Sequence, residues 1–437
     1  MVQLSDYRQK TTAEQAVDLV RSGDRIWVQQ GCGTPVTLLD ALVERAQSLH
    51  DVEICHMLTC GTPAYTRPEY EGHFRHNGLF LGGNVRQAVA EGRADYTPVC
   101  LSEIERLFED ELPIDVAFIQ TSPPDSHGYV SLGLGADCTL TAARRATYVI
   151  AEVNERMPRA MGDTFLHVSR LAAMVFTSRP LLELKQEAST ELHRRVARNV
   201  AALIPDGSTL QMGIGGIPNA VLACLADHRD LGIHSEMCPD GVVPLIESGV
   251  VNGARKTLHP GKVVAGFVLG SQALFDFLDN NPAFEFRPTS YVNDPFVIAQ
   301  NDDMIAINSA IQVDLTGQVC ADSFGTTPYS GFGGQLDFMR GAGRSRRGKP
   351  IIALPASARN RTISRIVPVL ELGAGVVTPR ADVHYVVTEY GVAYLRGKSL
   401  RQRAEALIAI SDPKFQNELY DFAVRTHYLD AKPALVG

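Results

Sequence analysis

The sequence predicts an α/β protein made of two tandem open α/β domains, each a mostly parallel sheet covered by helices. Three observations carry that expectation. Strand-like apolar runs alternate with amphipathic helical stretches along the 437 residues, as parallel strands joined by helical crossovers require. Strands repeatedly enter glycine-rich turns that open helices. The whole pattern occurs twice.

The repeat orders the elements. Ala13-Glu-Gln-Ala-Val-Asp-Leu-Val-Arg-Ser-Gly23 aligns without gaps on Ala197-Arg-Asn-Val-Ala-Ala-Leu-Ile-Pro-Asp-Gly207. Each reads as an amphipathic helix closed by a glycine. An apolar strand follows in both copies, at 25–29 and 209–212. The first strand enters Gln30-Gly31-Cys32-Gly33-Thr34-Pro35, the second Gly213-Ile-Gly215-Gly216-Ile217-Pro218. A proline near the start of the next helix is pre-organised for that position. Further on, Asp125-Ser-His-Gly128 matches Asp314-Leu-Thr-Gly317. Ser178-Arg-Pro180 and the polar stretch 185–189 interrupt the pattern, giving domains 1–185 and 186–437.

With 45% hydrophobic and 21% charged residues, the chain has the composition of an ordinary globular protein. No apolar run approaches the ~18 residues of a membrane helix. The first ten residues lack a hydrophobic signal core. Together these predict a cytoplasmic protein. The eight cysteines form no Cys-x-x-Cys pair and the twelve histidines no His-x-x-x-His, so neither a metal site nor a disulfide framework is expected. The net charge of −8 is uneven: residues 340–403 hold thirteen Lys or Arg against three Asp or Glu. A basic field within an acidic chain suits a phosphate-bearing ligand. It lacks the interleaved aromatics of an RNA-stacking surface, which argues against a nucleic-acid partner.

The sharpest local signal is Glu236, in Leu231-Gly-Ile-His-Ser-Glu236-Met-Cys-Pro-Asp-Gly241. The alternating run reads as a strand, which Pro239, Asp240 and Gly241 stop. In open α/β sheets, strand ends and strand-to-helix turns meet where ligands bind. A carboxylate beside a loop of backbone N–H groups can attack an acyl group while the loop steadies the oxyanion. The first copy shows no obvious counterpart of Glu236, so the chemistry is expected in the second copy with the first as a wall. A second glycine loop, Ser330-Gly331-Phe-Gly333-Gly334-Gln335, could also face a ligand. Gly213-Ile-Gly-Gly216 is neither a dinucleotide fingerprint nor a Walker loop, so no nucleotide redox cofactor is expected. Ser126-His127 has no Gly-x-Ser-x-Gly elbow with it.

Taken together, Gly213-Ile-Gly-Gly-Ile-Pro-Asn219, His234-Ser-Glu236-Met, Tyr291-Val-Asn293-Asp-Pro295 and the run 307–319 resemble the acetyl-CoA hydrolase/transferase family. Ser330-Gly-Phe-Gly-Gly-Gln-Leu-Asp-Phe338, Val386-Val-Thr-Glu389-Tyr-Gly391 and Phe80-Leu-Gly-Gly-Asn-Val-Arg86 extend the resemblance over nearly the whole chain. The length is similar to the shorter branch, which includes 4-hydroxybutyrate and butyrate CoA-transferases. The resemblance implies class I CoA-transferase chemistry on the tandem α/β fold of that family. It implies Glu236 as the catalytic glutamate and the N–H of Ile217 as one oxyanion donor, with Gly333 or Gly334 as the other. Asn293 and Glu389 would assist or orient the nucleophile. Gly213, Gly215, Gly216, Gly331 and Gln335 would line the coenzyme A site, and Arg344, Arg346, Arg347 and Lys349 are candidates for its phosphates. Coenzyme A or acyl-CoA is then the substrate, small carboxylates the other partner, and a homo-oligomer the expected assembly. An acyl-CoA hydrolase, a silent coenzyme A or sugar-phosphate sensor, and an interaction protein using the basic face are the alternatives.

Overall fold

Runs rich in Val, Ile, Leu and Phe form strands buried on both faces, as parallel strands sandwiched between helices must be. The computed structural model describes residues 10–185 and 188–430. The first sheet comprises β1 (Arg25–Val28), β2 (Val52–His56), β3 (Phe74–Gly78), β4 (Ala94–Tyr96), β5 (Val116–Thr121), β6 (Tyr148–Asn154) and β7 (Ala173–Thr177). Its strands are all parallel and lie in the order β4-β3-β2-β1-β5-β6-β7.

The second sheet repeats that order. It comprises β8 (Thr209–Gln211), β9 (Gly232–Pro239), β10 (Val263–Leu269), β11 (Phe284–Phe286), β12 (Met304–Asn308), β13 (Lys349–Ala353), β14 (Tyr385–Thr388) and β15 (Gly391–Tyr394). They lie as β11-β10-β9-β8-β12-β13-β14-β15, with only the edge strand β15 antiparallel. The chain reverses its direction of winding between β1 and β5, and again between β8 and β12. Ligands bind at such switch points, beyond the carboxyl ends of the strands. The two-unit α/β architecture expected from the repeat is therefore observed.

Details of the repeat hold in the backbone. Helices Ala13–Val17 and Glu191–Ala201 end at equivalent positions, each opened by a threonine capping box. Six residues later, Gly23 and Gly207 adopt φ +84° and +79°. Asp125 accepts from the N–H groups of His127 and Tyr129, and Asp314 accepts from those of Thr316 and Gln318. The motif containing Ser126 and His127 is thus an Asx turn in both copies.

The copies interlock through backbone. β11 stops pairing with β10 at Ala265, and the first unit's segment 134–136 takes its place. There Ala136 N–H donates to Gly266 O at 2.9 Å and Val268 N–H to Leu134 O at 2.8 Å. A Cβ on Gly135 would lie 2.5 Å from that of Phe267, so only glycine permits this approach. The glycine loop before helix Gln335–Arg344 is clamped in the same way: Leu81 N–H donates to Ser330 O and Leu101 N–H to Gly333 O, each at 3.0 Å. Among the described residues, no helix is long and apolar enough to cross a membrane, and no group of three or more His, Cys, Asp or Glu could hold a metal ion.

Candidate active site

Both switch points open onto one cavity of about 240 Å³ between the two units. The first unit contributes Met57, Leu58, Leu79, Phe80, Val99 and Leu101 to its wall, and the second contributes Gly213, Ile214, Glu236 and the loop Ser330–Gln335. Glu236 reaches the cavity because its strand outruns a neighbour. β9 continues to Pro239, whereas β8 pairs with it only as far as Ile233. The glutamate therefore stands where the glycine loop begins, three residues before the strand end rather than at it.

Asn293 Nδ2 donates to Glu236 Oε2 at 3.0 Å, and the Gly334 N–H also favours the charged carboxylate. A Cβ on Gly334 would fall 2.0 Å from Oε2 and 2.2 Å from Asn293 Nδ2, so the backbone approaches the carboxylate as only glycine can. Burial is the largest influence on Glu236 and pushes its carboxyl up to about 7. The two hydrogen bonds oppose that rise, and the nearby Asp337 carboxylate adds to it.

Asn293 follows helix Thr289–Val292, which two buried groups hold in place. His234, inside β9, contacts Val292 O through Nε2 at 2.9 Å. Desolvation lowers this imidazole to about 3, so it stays neutral and serves as a strut. From the first unit, Glu105 Oε1 accepts from Ser290 N–H at 2.8 Å and from Thr289 Oγ1 at 3.1 Å. The helix after the glycine loop is tethered likewise, its Asp337 accepting from Ser102 N–H and Oγ at 3.1 and 2.8 Å. Burial raises the Asp337 carboxyl to about 6. Segment 101–107 thus positions both second-unit helices that bear on Glu236. Sequence reasoning missed Ser102, Glu105 and Asp337, because no local pattern marks a partner about 180 or more residues away.

The expected site residues divide into two groups. Glu236, Asn293, Gly334, Gly333, Gly331, Gln335 and Gly213 meet at or beside the cavity. Gly215 takes φ +106° at the turn into helix Gly216–Ala223. Ile217 lies in the first turn of that helix, where N–H groups have no intrahelical acceptor. Gly216 is a packing glycine, since a Cβ there would meet the His193 ring at 2.0 Å. Cys238 is buried and its thiol is pushed up to about 12, which leaves it inert.

The structure does not bring the phosphate candidates to the cavity. Arg346 and Arg347 pair with Asp302 and Asp303, and Lys349 Nζ donates to Leu203 O at 2.6 Å. All three lie at the amino-terminal edge of the second sheet, opposite the cavity. Arg344 ends the helix that starts at Gln335, about 14 Å along its axis, and stacks over Phe296. Charge counting found the basic stretch but could not show that acidic residues 302 and 303 neutralise part of it. Glu389 is also set apart. It follows β14, four strand positions from β9, or about 19 Å at the usual strand spacing, and its Oε2 accepts from Ala356 N–H at 2.8 Å.

The repeat explains the wall facing Glu236. Arg25 pairs with Glu53 as Thr209 pairs with Gly232. On that register Met57 is the first-unit counterpart of Glu236, and Gln30 that of Ile214.

Models of the acetyl-CoA hydrolase/transferase N-terminal and C-terminal domains match residues 1–183 and 270–423. A 4-hydroxybutyrate coenzyme A transferase of Clostridium kluyveri is 50% identical over 415 residues, 94% of this chain and 97% of its own length. The crystal structure of RipA from Yersinia pestis superposes with a TM-score of 0.93 at 37% identity, covering 96% of this chain and 98% of RipA. That of a 4-hydroxybutyrate CoA-transferase from Porphyromonas gingivalis has a TM-score of 0.83 at 40% identity, with the same coverage. With both domain models matched and a half-identical relative aligned nearly end to end, this chain belongs to the acetyl-CoA hydrolase/transferase family.

Proposed function

We propose that this enzyme moves coenzyme A from an acyl-CoA such as acetyl-CoA to a short-chain carboxylate such as butyrate or 4-hydroxybutyrate. The reaction is ping-pong, through a glutamyl-CoA thioester on Glu236. Residues 186–437 supply the reacting group, and residues 1–185 the facing wall. The observation that carries this reading is the Glu236 carboxylate, held by Asn293 and Gly334 in a mainly apolar cavity. No His, Cys or Lys competes with it among the described lining residues.

Glu236, ionised, attacks the thioester carbonyl and expels the thiolate of coenzyme A, giving a mixed anhydride that keeps the acyl group activated. The thiolate then attacks the Glu236 carbonyl carbon, and the original acyl group leaves as a free carboxylate. The thioester now joins coenzyme A to Glu236. An incoming carboxylate reverses the two steps and departs as the new acyl-CoA.

Tetrahedral intermediates form at two different carbonyls, and each needs its own donors. At the Glu236 carbonyl the oxyanion develops on the side chain's own oxygen, where the Asn293 amide and the Gly334 N–H already sit. At the acyl carbonyl, Ile217 N–H and the Gly333 backbone are the assigned donors. Apolar walls keep water from the anhydride, which favours transfer over hydrolysis.

The test is to mix the protein with acetyl-CoA or butyryl-CoA without an acceptor, and to combine intact mass with borohydride reduction and peptide mapping. A coenzyme A adduct on Glu236, absent from Glu236→Ala, is the expected result. Steady thiol release with no adduct would make the protein a hydrolase. Neither adduct nor turnover would leave the sensor reading.

A further inference from the structure

Cys32 and Cys60 stand side by side in the first unit, and neither lines the cavity that holds Glu236. Gly31 and Thr59 pair as parallel strands do, and the two cysteines are the residues that follow them. The pairing extends to that step: Gly31 N–H donates to Leu58 O at 2.5 Å, and Cys60 N–H donates to Gly31 O at 3.4 Å. Adjacent strands lie about 4.8 Å apart, and a disulfide joins residues whose Cα atoms are about 4.4 to 6.8 Å apart. The side chains meet, the Cys32 thiol donating a hydrogen bond to the Cys60 sulfur.

The two sulfurs differ in what they face. Cys32 is fully buried, its sulfur 4.0 Å from the Gly270 carbonyl oxygen of the second unit. The bond to Cys60, together with burial, holds the proton on Cys32. Cys60 is half-buried and lines a separate cavity of about 300 Å³ with Thr34, Asp40, Thr59, Tyr65 and Leu182. The hydrogen bond from Cys32 lowers the Cys60 thiol below its usual range, against the opposing effect of burial. Reactive thiols combine this ease of ionisation with access. Cys100 is also half-buried, yet burial pushes its thiol up to about 11.

We propose that Cys60 and Cys32 are a modification site that takes a peroxide as its oxidant and closes reversibly into a disulfide. Cys60, as thiolate, attacks one oxygen of the peroxide. The O–O bond breaks, an S–O bond forms, and the departing hydroxide takes up the Cys32 proton as water. Cys60 is now a sulfenic acid, oxidised by two electrons that the peroxide has accepted. The Cys32 sulfur then attacks the Cys60 sulfur, the S–S bond forms, the S–O bond breaks, and the hydroxyl group leaves as a second water. A dithiol restores both cysteines by thiol–disulfide exchange and is itself oxidised to a disulfide. Because Cys32 adjoins the reacting sulfur, it resolves the sulfenic acid before a second peroxide can carry Cys60 to an irreversible state. The site stands on the thiols alone and is independent of the transfer reaction.

The test exposes the folded, reduced protein to hydrogen peroxide, then denatures and alkylates it. Free thiols should fall by two from the eight of the reduced chain and return with dithiothreitol. Peptide mapping without reductant should show Cys32 joined to Cys60. Cys60 should be consumed at least about tenfold faster than Cys100, because its thiolate is the more accessible state. In Cys32→Ala the resolving thiol is gone, and Cys60 should persist as a sulfenic acid that dimedone labels. Cys60→Ser should leave Cys32 reduced. Thiol loss without the crosslink, a crosslink that forms no faster than Cys100 is oxidised, or Cys32 oxidised equally fast in Cys60→Ser overturns the assignment. The wild-type map carries the test by itself if either variant impairs folding.

Discussion

Replacing Glu236 by glutamine should stabilise the protein above neutral pH while abolishing transfer. Burial lifts this carboxyl from 4.5 to about 7. The folded chain therefore holds the proton more tightly than the unfolded chain between those two values, so stability falls as pH rises through that window. Below the lower value both states are protonated and nothing is lost. Above the upper value the full shift counts, about 3 kcal/mol at 1.36 kcal/mol per pKa unit. That is an upper figure, because the carboxylate opens on the cavity and water there screens it. Thermal denaturation of wild type and Glu236→Gln from pH 4.5 to 8.5 is the assay. The melting temperatures should nearly coincide at the acid end and diverge by several degrees above pH 7, with the variant higher. A gap that does not change with pH, or a variant no more stable at pH 8, would refute the argument. The same titration predicts that wild-type kcat/KM for acyl-CoA falls as pH drops through about 7, because the nucleophile must be ionised.

Other residues give sharper local tests. Asn293→Ala removes a donor from the Glu236 oxygen and should lower kcat by about 100- to 1000-fold in steady-state assays. Gly334→Ala drives a methyl group into the carboxylate and should lower kcat at least about 100-fold with the thermal transition retained. Glu105→Ala frees the helix that presents Asn293, and should cut kcat about tenfold with little change in KM. Arg346→Ala and Lys349→Ala act at the opposite edge of the sheet and should leave KM for acyl-CoA within about twofold. A tenfold rise in either variant would restore the basic stretch as the phosphate site.

Legibility in the sequence followed the range of the physics. The tandem fold was readable because each copy repeats the same helix, glycine, strand and turn, and such signals are local. Glu236, Asn293 and the Gly333-Gly334 pair were readable as a motif set, and the cavity brings them together. The aspartates at 302 and 303 were not weighed as partners of Arg346 and Arg347, since about 44 residues separate each pair and charge counting ignores pairing. Met57 drew no notice, because its meaning depends on the register between β1 and β2.

That register has an evolutionary consequence. Where one copy carries the Glu236 carboxylate, the other carries the Met57 thioether at the same structural position, so a crevice built from two copies of one fold holds that carboxylate once instead of twice. The duplication has separated two kinds of information along the gene. On the proposed reaction, substitutions at Met57 and Phe80 should alter the wall facing Glu236 while leaving in place the donors that surround it. New substrate ranges are therefore best sought by varying the first half of the chain on an unchanged second half.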